Sequence, residues 1–80
     1  MVTVHNVYEN AWNNKGIILG NMNRFEEALS ALDKAVKIKP DDHEAWHNKG
    51  FVLSNLNRHK EAIDAFNNAI NSRPDDHETW

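Results

Sequence analysis

The chain predicts an all-α fold of tandem antiparallel helix–turn–helix repeats, and three observations carry that prediction. The first is internal repetition. Trp12, Trp46 and Trp80 stand 34 residues apart, and Pro40/Pro74, Gly16/Gly50, Ala28/Ala62 and Ala35/Ala69 keep the same step. A fixed period of this length marks an architecture of stacked units, each too small to bury a core alone. The second is helical spacing of apolar residues within every period. The third is a short, recurring break between the two helical patterns of each period, Asn23-Arg24 in one and Asn57-Arg58 in the next.

Trp12, Gly16 and Leu19 fall at i, i+4 and i+7, and Ile18 and Met22 are expected to widen that inward face. Asparagine at the break suits a residue that leaves a helix through left-handed backbone, because after glycine it tolerates that conformation best. A second helix follows in Phe25, Ala28, Leu29, Leu32, Ala35 and Val36. It stops before Pro40, whose ring disfavours helix at the preceding residue. Asp41-Asp42 supplies an N-cap for the next helix, and Glu44 places negative charge in its first turn. The second period repeats these signals through Pro74-Asp75-Asp76. With breaks this short, each helix folds back on its neighbour. Gly16/Gly50, Ala28/Ala62 and Ala35/Ala69 are the smallest inward residues. A glycine recurring inside a helix at one phase points to a close backbone contact, since it costs about 0.5–1 kcal/mol relative to alanine.

Bulk composition narrows the function classes. Eighty residues support one small domain. A net charge of −3 and a pI of 5.9 argue against nucleic acid or anionic membrane as partners. There is no cysteine, hence no disulfide or thiol chemistry. Apolar runs such as Gly16-Ile17-Ile18-Leu19 are too short to cross a bilayer, and no signal-peptide pattern opens the sequence. The expectation is a cytoplasmic protein that needs no cofactor.

The series Trp12, Gly16, Leu19, Ala28, Leu32, Ala35, Pro40, repeated as Trp46, Gly50, Leu53, Ala62, Phe66, Ala69, Pro74, resembles the tetratricopeptide repeat. On that resemblance residues 9–42 and 43–76 form two repeats, residues 77–80 open a third, and residues 1–8 are an apolar N-terminal tail. The resemblance implies a short right-handed α-solenoid. It also implies a non-catalytic scaffold whose concave groove, lined by the first helix of each repeat, binds a protein partner.

A helical wheel locates the groove. At about 100° per residue, Ile17 lies opposite the inward face, among Asn13, Asn14, Gly20 and Asn21. Phe51 occupies the same phase among His47, Asn48, Ser54 and Asn55. Two apolar residues at one phase of stacked helices form a stripe. The expected site is therefore Asn13, Ile17, Asn21, Glu44, His47, Asn48, Phe51 and Asn55. Ile17 and Phe51 supply apolar contact, and the Asn and His side chains supply polar contact. The competing reading packs Ile17 and Phe51 against neighbouring helices. Family members that clamp a terminal carboxylate carry a lysine and an asparagine on the first helix, where this chain has Asn13 and Ile17. Glu78 replaces a further lysine of that pattern, although Asn48 matches its asparagine. A neutral or mildly basic protein or peptide fits better.

Other constellations have simpler explanations. Lys15 and Lys49 pack their stems along apolar neighbours. His43 and His47 have metal-ligand spacing, but two ligands do not make a site, so no metal is expected. Arg24 with Glu27, and Arg58 with Glu61, are surface pairs. No serine is paired with a histidine in both repeats, and no glycine-rich phosphate loop exists, which argues against an enzyme.

The ends carry a second expectation. Stacked repeats bury their core only against neighbours. Ile63, Phe66 and Ile70 point partly to where a third repeat would sit, making them candidates for self-association as a homo-oligomer, including one with exchanged helices.

Overall fold

The computed structural model describes residues 4–72. Four helices follow in order: α1 (Val4–Asn21), α2 (Phe25–Ile38), α3 (His43–Asn55) and α4 (His59–Ser72). They pack as two consecutive hairpins, α1 with α2 and α3 with α4, joined mainly through α2 and α3. This is a helical-repeat solenoid. Helix α1 starts at Val4, so residues 4–8, read above as tail, are helical. The opening of a third repeat at residues 77–80 lies outside the described residues, as does the cap at Asp75-Asp76.

Both hairpin turns are made the same way. Asn23 and Asn57 each adopt φ 62°. The Asn23 N–H donates to the Gly20 carbonyl at 3.0 Å and the Arg24 N–H to Leu19 at 2.9 Å. Asn57 and Arg58 repeat these bonds to Ser54 and Leu53. The paired bonds around a left-handed residue satisfy carbonyls that would otherwise be orphaned at the helix end. At the start of α3, Asp42 Oδ1 accepts from the N–H groups of Glu44 and Ala45 at 3.0 and 3.3 Å. Helix α2 has no side-chain cap. Glu26 and Glu27 in its first turn instead place negative charge at the positive end of the dipole.

The core is built on small-to-large contacts. A Cβ at Gly16 would lie 2.6 Å from Leu32 Cγ, and one at Gly50 would lie 2.7 Å from Phe66 Cε1. Leu32 is fully buried, among Ala28, Leu19, Leu53 and Val52. The joint between repeats centres on Ala35, Val36 and Ala45, flanked by Trp12 and Trp46. Three polar contacts fix this region. Asn48 Nδ2 donates to Asn13 Oδ1 at 3.2 Å, Lys49 pairs with Asp33 at 2.9 Å, and the Trp46 indole N–H donates to the Pro40 carbonyl at 2.6 Å.

Two inward positions differ from expectation. Ile18 and Met22 are 58% and 54% exposed, whereas their repeat counterparts Val52 and Leu56 are buried and half-buried. The helical face is the same. In the second repeat it meets the first hairpin, whereas among the described residues nothing covers it in the first.

These contacts set the expected outcomes of thermal or chemical unfolding. Gly16→Ala forces a methyl into Leu32 and should destabilise by about 1–3 kcal/mol. Gly50→Ala should cost less, because Phe66 is half-buried and its ring has room to turn. At Gly20 a Cβ meets only Val52 Cγ2, at 3.9 Å, so Gly20→Ala should stabilise by about 0.5–1 kcal/mol. At the turns, Asn23→Gly or Asn57→Gly should be neutral or mildly stabilising, while alanine at either position should cost about 1 kcal/mol. Asn48→Ala strands the buried Asn13 oxygen and should cost about 1–3 kcal/mol; an unfolding midpoint equal to wild type would show that the bond adds nothing.

Candidate functional site

Helices α1 and α3 lie side by side, and a cleft of about 120 Å³ opens between them. Ile17, Asn21, Asn48 and Phe51 line it, together with Gly16, Gly20, Leu32 and Val52. No lining residue is charged. Phe51 is 54% exposed, while Ile17 is half-buried. Neither residue is part of the closed core. The lack of side chains at Gly16 and Gly20 keeps the cleft open, and Leu32 reaches its floor past Gly16. Asn48 uses an amide hydrogen on Asn13, which leaves its carbonyl oxygen able to accept. Asn21 is exposed at the end of α1.

The other four expected groove residues are placed elsewhere or used otherwise. Asn13 is only 4% exposed and holds Asn48, so it is a structural contact between the repeats rather than a ligand-facing amide. The wheel sets Asn13 on the same side as Ile17 but cannot show that α3 crosses over it. The His47 ring packs against Phe66 with centroids 5.4 Å apart. It borders a separate hollow with His43, Ala69 and Ile70 at the far end of the stack. Asn55 Nδ2 donates to the Phe51 carbonyl at 2.9 Å within its own helix. Glu44 is exposed in the first turn of α3 and does not line the cleft.

Gly20 and Val52 are cleft residues that the sequence reading left out of the site. Gly20 sits one turn beyond Ile17 at a matching phase, which was a usable signal. Val52 carried none, because it reads as inward and is 2% exposed. Glu9 is a second buried polar residue, 2% exposed, and its Oε2 has no hydrogen-bond partner.

The opposite side of the hairpins is cationic and aromatic. Lys15 Nζ lies 5.2 Å from the Trp12 ring centroid and Lys49 Nζ 5.0 Å from that of Trp46; Lys34 approaches Trp12 from α2 at 5.3 Å. These lysines stack their charge on a ring while the stem covers apolar surface. Nearby, Arg24 Nη2 donates to Glu27 at 2.8 Å and Arg58 Nη2 to Glu61 at 2.9 Å. The guanidinium hydrogen bond holds each carboxyl below its ordinary pKa. Both carboxylates therefore stay ionised and paired at neutral pH. Among the described residues, no group of three or more His, Cys, Asp or Glu side chains gathers to hold a metal. No described helix is long and apolar enough to cross a membrane.

Comparison with known proteins agrees with this architecture. The sequence profile of the tetratricopeptide repeat matches residues 9–42 and again residues 43–76, one match to each hairpin. No curated protein matches the chain significantly. Tetratricopeptide repeats are in general protein–protein interaction modules without catalytic activity. With two matches in tandem covering most of its length, the chain belongs to the tetratricopeptide repeat family.

Proposed function

We propose that this chain is a non-catalytic docking module that takes a peptide or helix of a partner protein into the cleft between α1 and α3. The observation that carries the reading is the exposed Phe51 ring beside Ile17, in an uncharged cleft edged by two asparagine amides. Large apolar side chains at the rim of a concave surface are anchor points for a ligand side chain. Asn48 and Asn21 are placed to bond the backbone amides of a ligand running across the helices, which holds it in register without requiring a charge. The absence of lysine or arginine from the cleft disfavours an acidic terminus. Glu44, exposed in the first turn of α3, tilts the preference toward a neutral or mildly basic segment. A cytoplasmic setting fits this role, and the net charge of −3 disfavours nucleic acid or an anionic membrane as the ligand.

The test is selection of binders from a library of short peptides, followed by titration of the selected peptides against variants. Phe51→Ala should lower affinity about 10- to 100-fold, and adding Ile17→Ala should remove measurable binding. Phe51 is exposed, so its truncation should change unfolding stability by less than about 0.5 kcal/mol. Undiminished binding by the double variant would place the ligand on another surface.

A further inference from the structure

The joint between the two hairpins is a template for a second joint. Seven large apolar residues are exposed among those described: Val7, Tyr8, Ile18, Met22, Phe51, Ile63 and Ile70. Four of them are 34-residue counterparts of residues covered within the chain. Ile18 corresponds to Val52, which is 2% exposed, and Met22 to the half-buried Leu56. Ile63 corresponds to Leu29 and Ile70 to Val36, each 8% exposed. The four thus form two opposite faces. Ile18 and Met22 on α1 repeat the face by which α3 meets the first hairpin. Ile63 and Ile70 on α4 repeat the face by which α2 receives α3.

We propose that the occupant of the α3–α4 end face is the α1 face of a second copy of this chain, so that copies join head to tail. The internal joint specifies the contacts. Ala45 is fully buried with Ala35 and Val36, and its counterpart Ala11 is exposed, ready to meet Ala69 and Ile70. The Asn48–Asn13 bond becomes Asn14 of the incoming copy donating to an imidazole nitrogen of His47, which is exposed. The Lys49–Asp33 ion pair becomes Lys15 against the amide oxygen of Asn67, a weaker but compatible contact. Val52 lies an ordinary van der Waals distance, 3.9 Å, from where a Cβ at Gly20 would be. Ile18 of the incoming copy takes the place of Val52 and comes to Ser54, the counterpart of Gly20. Among the described residues, the hollow bounded by His43, His47, Phe66, Ala69 and Ile70 lies at this seat. Because the two faces differ, the contact is heterologous. It propagates into open chains of copies unless the rotation closes a ring.

This arrangement does not require the groove reading: it rests on Ala11, Ile18 and Met22 against Ile63, Ala69 and Ile70, although the same correspondence sets Ile17 of the incoming copy beside Phe51. Its test exploits the two unlike faces. Light scattering after size exclusion should show the mass of the wild-type chain rising with concentration between about 1 µM and 1 mM. Ile18→Glu on the α1 face and Ile70→Glu on the end face lie at exposed positions, so each variant should keep wild-type helix content and unfolding temperature. Each alone should be monomeric, its association weakened on the order of 30-fold or more. An equimolar mixture of the two should form a dimer and stop there, because each variant supplies the face the other lacks. A wild-type chain monomeric at every concentration would overturn the proposal while leaving peptide binding intact. It would equally be overturned by a mixture that stays monomeric while the wild type associates, or by single variants that still form larger species.

Discussion

Leu32 stands where a side chain at Gly16 would have to be. Its Cγ lies 2.6 Å from the position of a Cβ there, and Phe66 fills the same role over Gly50. This close approach sets the separation of the two helices in each hairpin. It is possible only because one partner has no side chain, and in the first hairpin the other, Leu32, is held in place by complete burial. The geometry of the cleft depends on it as well. Leu32 reaches past Gly16 to form part of the cleft floor, so the contact that closes the first hairpin also shapes the surface where a partner is proposed to dock.

The joint between hairpins adds a different kind of constraint. Alanines at positions 35 and 45 let α2 and α3 approach, and the tryptophans flank them. Packing of this kind is non-directional and tolerates some sliding. The Asn48–Asn13 bond, the Lys49–Asp33 pair and the Trp46 bond to the Pro40 carbonyl are directional, and they set the register. The asparagine pair matters most, because Asn13 is buried and a buried amide oxygen without a partner is costly. The cleft inherits this register, since Asn48 belongs both to the joint and to the lining.

Electrostatics divides the surface into two unlike sides. The cleft contains no ionisable side chain, whereas the opposite side carries Lys15, Lys34 and Lys49 over indole rings and two arginine–glutamate pairs. The charges on that side are already engaged with partners in the same chain. The recognition proposed for the cleft would then rest on apolar contact and hydrogen bonding, which favours shape and backbone direction over charge. Among the described residues, the two end faces are a third kind of surface, apolar and unlike each other.

The sequence by itself determined the local events. Asn23 and Asn57 at the turns, Asp42 at the start of α3, and the need for a small residue at Gly16 and Gly50 act over a few residues or one repeat, where propensity and period decide. The close contact expected with backbone is made instead by the Leu32 and Phe66 side chains. The pairing of Ile17 with Phe51 was equally legible, because both lie at one phase of equivalent helices. What required the tertiary structure was which member of a repeated face is covered. Ile18 and Val52 read identically on a helical wheel, yet one is 58% exposed and the other 2%. Asn13 and Ile17 share a side of α1, yet only Asn13 lies beneath α3. A period fixes which side of a helix a residue occupies, while burial depends on whether a neighbouring helix comes to that side, and that is decided by long-range packing.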